Sequence, residues 1–401
     1  MNSNKHNTTP GALEGVRVLE LGQLIAGPFC GQLLADLGAE VIKIELPGRG
    51  DPMRDWGKGE PLWWPIVARN KKCITLDVRA EQGKTIFREL VGKADIVLEN
   101  FRPGTMEKWG LGYPELAAIN PGLIMVRVSG YGQDGPYSAR AGYGGIGEAM
   151  GGLRYIVGDP STPPSRVGLS IGDSLAAMFA TVGALSALQS RHRTGVGQVV
   201  DSAIFEAVLG VMESTVPEYT QLGAIRERTG AILDKVAPSN VYPTVDNEMI
   251  IMGANQDSVF TRLCDAMCQP ELAADKRFSS HIARGDNQAA LDEIICAWSE
   301  RHEAGALLAL LEQHGVPAGR IYRAPEMLAD AHFIARDTIV DVAHPKYDKL
   351  KMQNVFPKLS ATPGRIKWAG PALGQHNDEI YRSLLGYDDA EIDRLGENNI
   401  I

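Results

Sequence analysis

The chain has 401 residues, 44% of them hydrophobic and 22% charged, with a formal net charge of −9. That length exceeds what one core usually fills, so two domains, or one domain with a large insertion, are expected. The acidic balance excludes a typical nucleic-acid binder, and no run approaches the roughly 18 consecutive apolar residues of a membrane span, so neither nucleic acid nor membrane is expected as a partner.

Met1 to Pro10 is polar and lacks both an apolar core and an Arg-rich amphipathic pattern, so no targeting peptide is expected and the protein reads as cytoplasmic. Val16 to Leu21 reads as a buried strand and Pro28 to Leu37 as a helix with Pro in its first turn. Gly38 ends that helix, and Glu40 to Glu45 returns as a strand, completing a βαβ unit. The rhythm repeats through strands at Cys73 to Asp77, Ala94 to Glu99 and Leu123 to Ser129, with helices from Ala80 and Thr105 between them. A Rossmann-like, doubly wound α/β sheet follows. Periodicity fails from Gly130 to Gly172, and loops of that length in a compact domain are usually functional. Apolar helices are then predicted over Ser174 to Gln189 and from Asp201 to about Leu222. Short strands near Val241 and Met249 to Met252, with helices near 256–268, 287–301 and 303–313, suggest a smaller inserted α+β domain at 225–320. Residues 1–224 form the first part of the large domain, and 321–401, with a last helix from Asp378, return to it.

The five cysteines are odd in number and widely spaced, which reads as reduced, buried thiols. Cys264 and Cys268 stand one helical turn apart in an apolar pattern with no nearby His, so core packing is expected there rather than a metal site. Gly142, Gly144 and Gly147 match G-x-G-x-x-G literally, but the motif follows a polar loop instead of a first strand, so no dinucleotide site is inferred. Asp173, in Gly168-Leu-Ser-Ile-Gly172-Asp173-Ser174, stands just ahead of a long apolar helix. Most such residues are simple N-caps. The same position also favours an ionised, nucleophilic carboxylate, because helix N-termini carry unpaired N–H groups and partial positive charge.

From about Leu13 to the C-terminus the chain resembles the family III coenzyme A transferases, the group of formyl-CoA transferase and the carnitine CoA-transferase-like proteins. The matching stretches are Leu24 to Pro28, Gly38 to Glu45, Pro47 to Asp51, Arg69 to Lys72, Glu99 to Gly104, Gly130 to Pro136, Arg193 to Gln198 and Leu373 to His376. The resemblance implies that Asp173 is a covalent nucleophile and that Tyr143 positions substrate. It places CoA contacts on Ile25, Ala26, Leu76, Val78, Arg79, Asn100, Phe101, Arg102 and Lys108, and on the loop from Ala141 to Tyr143. Leu46 and Ala141 depart from basic residues of formyl-CoA transferase, and Arg140 offers a substitute for the second. No metal and no permanently bound cofactor are implied; CoA thioesters are substrates. An interlaced homodimer of two linked rings is implied as well.

Some relatives are α-methylacyl-CoA racemases, whose His falls on Tyr143. A phenol, with a reference pKa near 10, is a poor base for α-proton removal at neutral pH, which favours transfer. A non-catalytic acyl-CoA binder is the remaining alternative, and the intact Asp173 motif opposes it. Ile25 replaces a Gln of the formyl-CoA transferase site, and its glycine-run loop reads Gly253-Ala254-Asn255-Gln256 here. The chain is closest in character to transferases that take CoA from succinyl-CoA to a dicarboxylate-sized acid, such as glutarate, malate, citramalate or a sulfinate analogue. Arg54 and Arg166 are candidates for holding the acceptor's second carboxylate.

Overall fold

A computed structural model describes residues 9–401; Met1 to Thr8, and most of the segment read above as a polar opening, lie outside the described residues. Six parallel strands make the main sheet: β1 Arg17–Glu20, β2 Glu40–Glu45, β3 Lys71–Thr75, β4 Ile96–Glu99, β5 Ile124–Ser129 and β6 Val199–Ala203. Their order is β3-β2-β1-β4-β5-β6, so the winding reverses between β1 and β4. Near-continuous apolar runs make such strands because both faces are covered. Alternate residues go to opposite sides. Val18, Val41, Ile96, Leu98 and Val126 pack on one layer of helices. Leu19, Ile42, Ile44, Val97 and Met125 pack on the other.

The first layer holds α1, Ala26–Asp36, and later α4, Ile171–Thr194. The second layer includes α2, Glu81–Val91, through Ile86, Phe87 and Leu90. Between them in sequence lies α3, Gly144–Met150, within the stretch that periodicity left open. By length and composition α4 could cross a membrane, yet Ala176, Ala177, Ala180 and Ala184 are fully buried against α1 and the sheet. It is a core helix of small residues.

Two expectations need correction. Helix α4 begins at Ile171, not Ser174, and stops at Gly195 in a left-handed conformation (φ 73°). The helix expected from Asp201 is instead strand β6, then α5, Ile204–Leu209, and a separate helix Thr215–Leu222. Strand β6 is an edge strand paired only with β5, so Val199 and Asp201 stay exposed and the apolar run is too short to read.

The chain divides into two compact units: Met1–Leu153, Val167–Val216 and Ala335–Ile401 form one, and Arg154–Arg166 with Pro217–Ile334 the other. In the second, β7 Ser239–Pro243, β8 Met249–Gly253 and β9 Ala318–Arg320 make an antiparallel sheet. It shares a core with α6, Asp257–Ala266, which is followed in sequence by α7, His281–Asp286. Cys264 belongs to that core, but Cys268 lies past the end of α6, exposed, at φ 55°. The helical spacing that paired the two thiols does not survive the helix end.

Candidate functional site

In an open parallel sheet, loops leaving the carboxyl ends of the strands build the ligand crevice where the winding reverses. Here those loops carry the sequence-predicted residues. Ile25 and Ala26 follow β1, Leu76, Val78 and Arg79 follow β3, Asn100, Phe101 and Arg102 follow β4, and Arg140 and Tyr143 follow β5. A crevice of about 230 Å³ lies among the first of these, lined by Leu76, Val78, Arg79 and Phe101. Leu46, noted above as a departure, and Asp77, inside the stretch from Leu76 to Arg79, line it as well; Thr105 and Trp109 also line it and were missed by sequence reasoning. Their place on the short helix that follows β4 was the available signal. Phe101 meets Trp109 edge-on with ring centroids 5.2 Å apart, which fixes one wall.

The polar candidates differ in what they are free to do. Arg79 is exposed and forked onto Asp77, Nε to Oδ1 2.8 Å and Nη2 to Oδ2 3.0 Å. Arg102 and Lys108 are exposed beside the crevice loop. Arg140 lies 3.6 Å above the Tyr137 ring. Asn100, by contrast, is tied to backbone: its Oδ1 accepts from Gln23 N at 2.7 Å and its Nδ2 donates to Gln23 O at 2.9 Å. Arg54 is committed too. It forks onto Glu45 with two bonds of 2.7 Å, donates to Pro371 O at 3.1 Å and lies over Trp64, so it is not placed to take a second carboxylate. Arg166 is exposed on the run that leads to Asp173, and belongs to the other compact unit.

Asp173 occupies the third position of α4, inside the first turn, and Ser170 is the N-cap; the simple N-cap reading therefore fails by three residues. Helix α4 starts at the same carboxyl edge, since Ser202 at the end of β6 donates to Ala176 O at 2.9 Å. The Asp173 carboxylate rests on the start of α3. A Cβ added to Gly144 would fall 2.0 Å from Asp173 Oδ2. Tyr143 caps α3 with extended backbone and is 61% exposed, next in sequence to this contact. One turn further along α3, buried Glu148 accepts from Gly172 N at 3.4 Å. Sequence reasoning missed Glu148, although it is the one charged residue of α3 and stands four positions after Gly144.

The glycines that imitated a dinucleotide fingerprint have a different role. A Cβ on Gly147 would meet Ile204 Cγ2 at 2.5 Å, and one on Gly151, outside the fingerprint at the end of α3, would meet Val208 at 2.6 Å. They let α3 press against α5 while Gly144 admits the Asp173 carboxylate.

The predicted loop Gly253 to Gln256 lies in the second unit, between β8 and α6. Ala254 is buried, and its N donates to Pro238 O at 2.8 Å. The Asn255 carbonyl accepts from Arg284 Nη2 at 2.7 Å and lies 3.1 Å from His281 Nδ1. Gln256 is exposed.

A doubly wound sheet, a crevice at the carboxyl ends of its strands and a carboxylate at the same edge are the arrangement of an α/β protein with its ligand crevice at that edge. The chain belongs to CoA-transferase family III, whose model matches residues 13–377, and it is a family III CoA-transferase. It is 60% identical over 396 residues, 98% of both chains, to the succinyl-CoA–D-citramalate CoA-transferase of Chloroflexus aurantiacus. It is 39% identical over 406 residues to a succinyl-CoA–L-malate CoA-transferase alpha subunit of that organism, covering 98% of this chain and 95% of the relative. Among solved structures, a CaiB/BaiF family protein from Brucella suis superposes with a TM-score of 0.83 at 34% identity, covering 94% of this chain and 100% of that one.

Proposed function

We propose that the protein transfers CoA from succinyl-CoA to a dicarboxylate of citramalate size, with Asp173 as the covalent nucleophile. The observation that carries the mechanism is the Asp173 carboxylate seated on Gly144 at the carboxyl edge of the sheet. The relative of 60% identity supports the donor and the size of the acceptor.

Asp173 attacks the succinyl thioester carbon, the C–S bond breaks, and CoA leaves as thiolate, so that a succinyl-aspartyl mixed anhydride forms. The thiolate then attacks the aspartyl carbonyl and releases succinate, leaving an aspartyl-CoA thioester. The acceptor carboxylate attacks that thioester, the thiolate leaves again, and its return onto the acceptor carbonyl restores Asp173. Charge and protons balance without ATP, because thioester energy is retained in the covalent intermediates. Tyr143 positions the reacting carbonyl. Ile25, Ala26, Leu76, Val78 and Phe101 form the apolar bed for CoA, with Arg79, Arg102, Lys108 and Arg140 facing its phosphates. Asn100 shapes that bed through the backbone of Gln23. Gly253 to Gln256 provide the substrate loop, and Arg166 is the remaining candidate for the second carboxylate.

The working form is an interlaced homodimer, with the second unit as the inserted domain. The outer face of α4 supports a covering partner: Met178, Phe179 and Val182 are 42%, 46% and 59% exposed.

The deciding experiment incubates the protein in heavy water with succinyl-CoA and a panel of acids, and separately with a 2-methylacyl-CoA, and reads the CoA thioesters by mass spectrometry. New esters of citramalate or malate, without deuterium at Cα, are expected. Deuteration of a 2-methylacyl-CoA with no ester exchange would transfer the assignment to a racemase, and neither reaction would leave an acyl-CoA binder.

A further inference from the structure

Four backbone groups of the loop that leaves β1 are held by side chains from β2 and from the loops after β2 and β4. Gly22 O accepts from Lys43 Nζ, Gln23 N and O are bonded by Asn100 at 2.7 and 2.9 Å, and Leu24 N donates to Asp51 Oδ1 at 3.1 Å. Leu24 has φ 63°, a left-handed conformation that a non-glycine residue adopts only under restraint. The restraint is internal to the protein. Asp51 is 2% exposed and also accepts from Met53 N at 2.9 Å and from Lys43 Nζ at 2.7 Å. Lys43 is 1% exposed and lies 3.3 Å from Glu20, which is itself 2.8 Å from Lys71. Burial pulls the Asp51 carboxyl upward, but the Lys43 ammonium and the backbone donors outweigh it and hold the group below the usual carboxylate range.

We infer that Asp51, Lys43 and Asn100 are positioning residues: they splint Gly22 to Leu24 so that Gln23 and Ile25 are set for coenzyme A before it arrives. The inference rests on the proposal that Ile25 and Ala26 meet CoA. Gln23 links the splint to the crevice, which it lines, and Ile25, directly after the left-handed residue, is the N-cap of α1. Preorganisation of this kind removes an ordering cost that the ligand would otherwise bear. It also explains a buried Asp–Lys pair in a sheet that could hold apolar residues there, since pairs of this type rarely add stability over a hydrophobic replacement.

The test is calorimetric titration of free coenzyme A into the full chain and three variants. Asp51→Asn removes the anchor for Lys43, and Leu24→Val leaves the ionic group intact but makes positive φ costly. Each should weaken CoA about tenfold, whereas Leu24→Asn, a residue tolerant of the left-handed region, should lose less than about threefold. Should Asp51→Asn fail to fold, the Leu24 pair decides alone. Equal affinity in Val and Asn variants would overturn the splint while leaving the CoA site standing. No uptake of CoA by the wild-type chain would remove both.

Discussion

At the scale of single residues, the contact between Gly144 and Asp173 is the closest constraint on the proposed nucleophile. Gly144→Ala would put a methyl group 2.0 Å from Asp173 Oδ2, so the carboxylate must move. Displacements of about 1 Å at a reacting group cost roughly a hundredfold in rate, and kcat is expected to fall by that order while CoA affinity changes little. Asp173→Ala should abolish transfer outright and still bind CoA, because the crevice after β1 to β4 does not include it; Asp173→Asn should do the same, since an amide is a poor nucleophile. Retained turnover in either Asp173 variant would reduce the residue to part of a helix start. Position and motif singled out Asp173 as a candidate in the sequence. Gly144 was visible only as a piece of a misleading fingerprint, because what it accommodates comes from a helix that starts far along the chain. Glu148 was hidden because its partner Gly172 lies 24 positions on, and Asp51, though inside a matching stretch, gave no sign of its bond to Leu24, 27 positions earlier.

The edge strand β3 shows how elements complete one another. Its outer side is closed by the C-terminal segment rather than by another strand. Cys73 N donates to His376 Nδ1 and its carbonyl accepts from His376 N, both at 3.0 Å. Thr75 N donates to Asn377 Oδ1 at 2.9 Å, Tyr381 OH donates to Thr75 O at 2.5 Å, and Trp368 Nε1 donates to Lys71 O at 2.9 Å. An open edge would invite pairing with other chains. Burial pushes His376 below the ordinary imidazole value, with Glu379 and Lys72 acting in opposite senses on it. Because Nδ1 accepts the Cys73 N–H, the neutral ring is the one that fits. The unfolded chain therefore binds the proton more readily, so the contribution is complete above about pH 6.5 and declines as pH falls below it. The melting temperature should drop between about pH 7 and 5 more steeply in the wild type than in His376→Gln, and parallel curves would remove His376 from the account. At pH 7.5, His376→Ala should cost about 1 kcal/mol through the lost backbone bond. The strands β1 to β5 were readable as apolar runs between helical patterns. The closing segment was not, because side-chain-to-backbone cover has no period; only Leu373 to His376 stood out, and as a motif rather than as a structure. Strand β10, Ile339–His344, and β11, Asp348–Gln353, escaped similarly, since their mixed polar faces hide the alternation.

For the whole molecule, the sequence division at 225–320 lies within the second unit's main segment, Pro217–Ile334. The extra segment Arg154–Arg166 could not be assigned from the sequence, because it is short and surrounded by residues of the other unit. If the dimer is two linked rings, subunits cannot part without one chain threading the other. Mixed tagged and untagged dimers should therefore stay unmixed for days under native conditions and exchange only after denaturation and refolding. Rapid appearance of mixed-tag dimers would rule out the linked form.

The C-terminal cover over β3 also imposes an order in time. Cys73 and His376 are separated by 303 positions, so the ribosome finishes the edge strand long before it makes the residue that shields it. At about 5–20 residues per second, that interval is roughly 15–60 s. During it the nascent chain offers the unpaired outer edge of β3 to its neighbours. Synthesis rate and chaperone supply, rather than the stability of the finished enzyme, should then limit soluble yield, and chains cut short before Trp368 should accumulate as aggregates even though every strand of the main sheet is present.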